Sequence, residues 1–242
     1  MQIWHHEMQE DELLTSEDTM NFFKSTGARL FIPCFASSSL AVGMLVGRNL
    51  MGHQGYIFLI WNLFLAWLPY LATLWMAWAA QRSRINFWLT IVPVGSLWLL
   101  FLPNAPYLLT DLIHFRGMHF VWWYDSSMLF SFAWAGIMLG VASLYIIGEL
   151  STARYGWLVG WGVVLATVSL SGLGVYVGRF LRWNSWDAIM RPRIILHDLV
   201  NLFSDPSTYP RLLGVSGLIA CVMLVGYLTI ISIQGERERM CS

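Results

Sequence analysis

Residues 157–187 read WLVGWGVVLATVSLSGLGVYVGRFLRWNSWD, and the first 21 of them, Trp157 to Val177, carry no charge. A helix rises about 1.5 Å per residue, so this run matches the roughly 30 Å hydrocarbon core of a bilayer. In lipid, every backbone N–H and C=O must be satisfied within the chain, and a helix does so in one segment. The run then ends in GRFLRWNSWD, Gly178 to Asp187, with two arginines, two tryptophans, an asparagine, a serine and an aspartate in ten residues. A membrane span with a polar, aromatic end is the reading from which the rest follows.

Five more apolar runs of this kind lie along the chain, at Leu30–Val46, Tyr56–Ala80, Asn86–Leu102, Ser127–Ile147 and Leu212–Ile233. The 242 residues are 57% hydrophobic and 12% charged with mean hydropathy +0.59, about half the charged share of a soluble domain. The expected fold is all-α, a polytopic transmembrane bundle of about six spans with short interfacial helices. Residues 1–29 form a polar acidic N-terminal segment, 30–233 the membrane domain and 234–242 a polar C-terminal tail. The first segment is acidic rather than basic, unlike a signal peptide, and is expected to be retained. Ser16 and Asp18 are placed to cap a short helix in it.

A net charge of zero gives no electrostatic reason to bind nucleic acid. The three cysteines are scattered without metal-ligand spacing, which points to packing. Fourteen tryptophans fit contact with the membrane interface, and core packing accounts for many of them equally well. Gly136 with Gly140, Gly156 with Gly160, and Gly174 with Gly178 have the small-xxx-small spacing that lets helix backbones approach closely. On that basis the fifth span is expected at the centre of the bundle. Gly214–Gly217, GVSG, reads as helix packing rather than a serine nucleophile, because no other span contains a histidine to activate Ser216.

A second polar stretch, PNAPYLLTD at Pro103–Asp111, closes the third run. Pro103 and Pro106 remove backbone donors, so the helix is expected to break after Leu102 and restart as a short helix capped by Asn104. At helical spacing Asn104, Tyr107, Asp111 and His114 share one face. Asp111 and His114, three residues apart, have the spacing of metal ligands or of an acid/base pair, and are the candidate catalytic residues. The plainer alternative pairs Asp111 with an arginine and leaves His114 at the interface. No cofactor is specified by the sequence.

Arg179 and Arg182 are likewise three apart, so that both guanidinium groups can converge on one anion; as helix-end arginines they can also simply snorkel. Asn184 and Asp187 complete the candidate substrate-binding set with Asn104 and Tyr107, although their own spacing also resembles a cap. Asp125, behind Trp122, Trp123 and Tyr124, is expected to face headgroups or cap a helix. IILHDLVNLF, Ile194 to Phe203, reads as a helix lying in the interface, and His197 within it has no required partner.

Together PNAPYLLTDL and GRFLRWNSWD resemble an uncharacterised family of bacterial integral membrane proteins, a domain of unknown function in which PNAPY and RxNSWD signatures recur. The resemblance covers about Leu30 to Ile233 and implies a membrane location, a bacterial inner membrane being the expected one, without implying an activity. Lys and Arg divide evenly between the two sides, seven and seven. If the arginines near GRFLRWNSWD serve a site, the other set decides orientation and both termini are cytoplasmic.

The preferred function is a membrane-interface site that binds or processes an anionic lipid headgroup or a phosphate-bearing substrate. The alternative is a non-catalytic accessory or assembly subunit of a larger membrane complex, its polar stretches locked by a pair such as Asp111 and Arg182. A transporter comes third, because spans two to six hold no carboxylate or lysine at mid-depth and only Asn62 and Pro69 hint at a polar path. Membrane lipids and a membrane-protein partner are the expected contacts.

Overall fold

A computed structural model describes residues 27, 29–52, 55–80, 84–112 and 122–241. Six helices are long and apolar enough to cross a membrane, one for each expected run. They are α1 (Arg29–Leu50), α2 (Phe58–Ala79), α3 (Arg84–Phe101), whose apolar span, Ile91–Thr110, runs on into the short helix that follows it, α5 (Trp122–Tyr155), α6 (Trp157–Phe180) and α9 (Tyr209–Cys241). Three short helices join them at one end of the bundle: α4 (Asn104–Thr110), α7 (Asp187–Met190) and α8 (Pro192–Ser204). The chain is an integral membrane protein with an all-α fold, and no strand occurs among the described residues. The 1–29 segment lies almost wholly outside those residues, as do Ser16 and Asp18. At the other terminus α9 continues through most of the polar tail to Cys241.

The most enclosed helix is α5 rather than α6: 72% of its apolar window is buried, against 39% for α6. Small residues mark close approach on both helices, but α5 is surrounded by more neighbours. Its one side packs with α1, α2 and α4 through Leu45, Leu59, Tyr70, Leu108 and Phe132, all fully buried. Its other side meets α6 and α9 through Val141, Val164, Met223 and Tyr227.

The glycines explain how the helices come together. A Cβ at Gly136 would collide with the Ala105 carbonyl of α4, and one at Gly172 with the Ser216 carbonyl of α9. Ser216 is therefore part of a helix contact, in keeping with the packing reading of GVSG. Gly174 and Gly178 receive the other polar stretch: a Cβ at Gly174 would lie 2.5 Å from Pro103 Cγ, and one at Gly178 3.4 Å from the Tyr107 ring. Gly156 differs from the expectation. It forms the one-residue turn between α5 and α6 at φ +90°, a left-handed conformation that favours glycine, instead of packing within the span.

Pro103 interrupts the α3–α4 helix without turning it, since its own backbone remains helical at φ −58° and ψ −21°. Asn104 does not cap α4, as no extended residue precedes the helix. Instead the Ala105 N–H donates to the Leu102 carbonyl (3.0 Å), leaving the Phe101 carbonyl without that amide. The Asn104 side-chain Nδ2 donates to it in replacement, at 2.9 Å.

Candidate functional site

Between the ends of these helices lies a cavity of about 760 Å³. Its walls follow helical spacing. Phe58, Trp61, Asn62 and Leu65 come from α2; Ser96, Leu99 and Leu100 from α3; Leu170, Leu173, Gly174, Val177 and Gly178 from α6. Trp183, Asn184, Ser185 and Ala188, with Ile195 and Leu199 of α8, close it above. Both polar stretches therefore border one space. Its size lies within the range of ordinary ligand pockets.

Asp111 sits at the polar end, 1% exposed. Its Oδ1 accepts from Arg179 Nη1 at 3.2 Å and its Oδ2 from Asn62 Nδ2 at 3.1 Å. The same Arg179 nitrogen donates to the Tyr107 hydroxyl at 3.4 Å, and the guanidinium carbon lies 5.7 Å from the Tyr107 ring centroid. That position adds a cation–π attraction. Burial of a carboxylate is costly unless it is paired and hydrogen-bonded, and the cation from α6 with the amide from α2 supplies both. Arg179 is engaged through Nη1 only: its Nε and Nη2 donors make no hydrogen bond among the described residues. A guanidinium offers five N–H donors in a planar fork, so one edge remains available at the cavity.

Asn104 joins the two stretches directly, its Nδ2 donating to Ser185 Oγ at 2.9 Å. Trp183 Nε1 donates to Asp198 Oδ2 at 2.9 Å and fastens this segment to α8. Trp61 and Trp186 meet edge to face with centroids 6.5 Å apart.

The remaining expected residues divide. Arg182 is exposed, does not line the cavity and adopts φ +60°. Helix α6 ends at Phe180, so Arg182 lies beyond it and does not border the space that Arg179 lines. Asn184 lines the cavity, while its backbone N–H donates to Asp187 Oδ2 at 2.8 Å. The Asp187 carboxylate thus serves the capping arrangement that its spacing resembles. His114 lies outside the described residues, and with it the Asp111–His114 pair as acid/base or metal ligands. Among the described residues no three His, Cys, Asp or Glu side chains are grouped to hold a metal. His197 is exposed beside Asp198 and Asn201 and does not line the cavity.

Sequence reasoning missed three contributors. Asn62 reads in the sequence only as a hint of a polar path in an apolar run, and an amide in the second turn of α2 is its one signal. Ser185 and Trp183 had none beyond their neighbourhood. Asp125 is also corrected: it is fully buried and accepts from Arg48 Nε at 2.7 Å, while the Arg48 guanidinium lies 4.8 Å from the Tyr56 ring centroid. The belt of aromatic residues around it does not bring it to headgroups, because α1 ends beside α5 with an arginine at the matching depth.

Residues 61–230 match the family described as "Protein of unknown function (DUF1361)". The match takes in both polar stretches and well over half of the chain. No curated protein and no solved structure matches. The chain belongs to the DUF1361 family, as its resemblance to an uncharacterised membrane-protein family implied.

Proposed function

We propose that this DUF1361 protein binds an anionic group, a phosphate or a phosphate-bearing lipid headgroup, at the polar end of the cavity, with Arg179 as the principal contact. The observation that carries the reading is the half-engaged guanidinium: Nη1 is held by Asp111 and Tyr107, while Nε and Nη2 remain as donors beside the cavity. Asn104, Asn184 and Ser185 supply further hydrogen-bonding groups, and Arg182, Arg191 and Arg193, all exposed on the same end, favour approach of an anion. Any acid/base step falls to Asp111, together with His114.

The test is titration of the purified protein with phosphatidylglycerol and with inorganic phosphate, followed by fluorescence of the tryptophans that include Trp61 and Trp183. Arg179→Gln is expected to weaken binding by at least about tenfold, or roughly 1.4 kcal/mol, while the protein still inserts and remains helical. Equal binding by wild type and variant would remove the site.

Orientation follows from the same residues. Taking Arg179 and its neighbours Arg182, Arg191 and Arg193 as serving the site leaves the other set of cations to decide orientation. This favours cytoplasmic termini and a site on the outer face of the bacterial inner membrane.

The Asp111–Arg179 pair also favours a second reading, an accessory subunit whose polar stretches are locked together for assembly with a larger membrane complex. The lock then runs through Arg179 rather than Arg182. Exchanging the charges as Asp111→Arg with Arg179→Asp separates the readings: recovery of function in the double variant marks a lock, and loss in all three marks a ligand site. Transport is the third possibility, and Asn62 reaching Asp111 is its only new support.

A further inference from the structure

We infer that the ligand of this site is a chain-bearing lipid that enters sideways from the bilayer between α2 and α6, an inference that rests on the anion reading above and specifies its source. The cavity is polar at one end only. Asn62, Asn104, Tyr107, Asp111 and Arg179 gather there, whereas the part below is walled by Leu65, Leu99, Leu100, Leu170 and Leu173. Ser96 is the one hydroxyl in that deeper part, and it donates to its own helix at the Val92 carbonyl, 2.8 Å away.

The apolar part is long enough to matter. At about 1.5 Å per residue, Ser96 to Pro103 spans roughly 10 Å of depth and Leu170 to Val177 likewise roughly 10 Å. A free phosphate would use only the polar end and leave this apolar length to water, which apolar walls disfavour. An acyl or prenyl chain fills it.

The neighbouring helices leave a way in. α3 packs on α2, and its continuation α4 packs on α6, so that α3 and α4 form the wall between them, while α2 and α6 flank the cavity without extensive contact with each other. Trp61 of α2 and Leu170 of α6, which both line the cavity, are 53% and 47% exposed, as suits a rim bathed by lipid. The opposite end is roofed: Asn104 holds Ser185, Trp183 holds Asp198, and Ile195 and Leu199 of α8 lie over the cavity. An amphipathic molecule already in the outer leaflet would pass between α2 and α6 with its headgroup at the level of Arg179.

The experiment compares three probes of the same anionic chemistry: dioleoyl phosphatidylglycerol, dihexanoyl phosphatidylglycerol and sn-glycerol 3-phosphate. Each is titrated into wild type, Ser96→Trp, Leu170→Trp and Arg179→Gln, with helical content and monodispersity checked for every variant. Wild-type affinity is expected to rise with chain length, by about a hundredfold from glycerol phosphate to the dioleoyl lipid. Either tryptophan should weaken the dioleoyl lipid by about tenfold and leave glycerol phosphate within about twofold; they come from different walls, so agreement between them excludes a local folding fault. Affinity independent of chain length, or tryptophan effects equal for all three probes, would overturn the lipid. If Arg179→Gln then still abolishes glycerol phosphate binding, the anion site survives without it; if Arg179→Gln changes nothing, both fall.

Discussion

Asp111 and Arg179 stand 68 residues apart in the chain and 3.2 Å apart in space, one at the end of α4 and the other at the end of α6. The carboxylate competes with any incoming anion for the same guanidinium. Asp111→Asn is therefore expected to raise anion affinity by about three- to tenfold, because the competing charge is gone while an amide can still hydrogen-bond. If the pair is only a lock, the same variant lowers the unfolding temperature as much as Arg179→Gln does and leaves phosphatidylglycerol titrations unchanged.

Arg182 is exposed near the mouth, and its expected contribution is long-range attraction. Arg182→Gln should weaken anion binding by about two- to threefold in low salt, with the difference vanishing near 1 M salt, where the screening length is about 3 Å. Arg182→Gly should show the same binding loss together with a gain in stability, as a side chain at φ +60° carries a strain of about 1 kcal/mol that glycine lacks. A tenfold loss at high salt would instead mean that Arg182 contacts the ligand.

The buried Arg48–Asp125 pair joins α1 to α5, and removing one partner strands the other charge. Arg48→Met is expected to destabilise the protein by about 3–5 kcal/mol in detergent unfolding followed by circular dichroism. Arg48→Met with Asp125→Leu should recover most of that loss, since a fitted apolar pair replaces a buried ion pair at little cost. A double variant no better than the single would assign the loss to packing of the arginine stem.

Gly172→Ala tests the α6–α9 contact. Its Cβ meets a backbone carbonyl that no rotamer change can move, so the helices must separate, at a cost of about 1–3 kcal/mol. Gly162→Ala, on the same helix with nothing near its Cβ, serves as the comparison and should be neutral or gain up to about 1 kcal/mol from helix propensity.

How much of this was legible depends on the range of the interaction. The run Trp157–Val177 announces its helix because lipid forces the backbone to satisfy itself, and the same holds for the other five spans. Gly174 and Gly178 announce a close neighbour without naming it; that it is Pro103 and Tyr107 emerges only from packing. The i, i+3 spacing of Arg179 and Arg182 does not continue one helix face, because α6 stops at Phe180 and the chain turns left-handed at Arg182. Asn104 looks like a cap by residue type, yet its amide replaces a backbone donor lost at the proline interruption.

The sequence by itself determined the membrane location, the six spans and the shared end of the two polar stretches, because hydrophobicity, length and alternation of direction are local properties that lipid reads directly. Tertiary structure decided that Asp111 meets Arg179 and Asn62 rather than Arg182, that Arg48 meets Asp125, and that α5 is the enclosed helix. Those outcomes turn on how helices rotate about their own axes. That rotation is fixed by contacts between segments far apart in sequence, in which each glycine and each buried charge constrains the others.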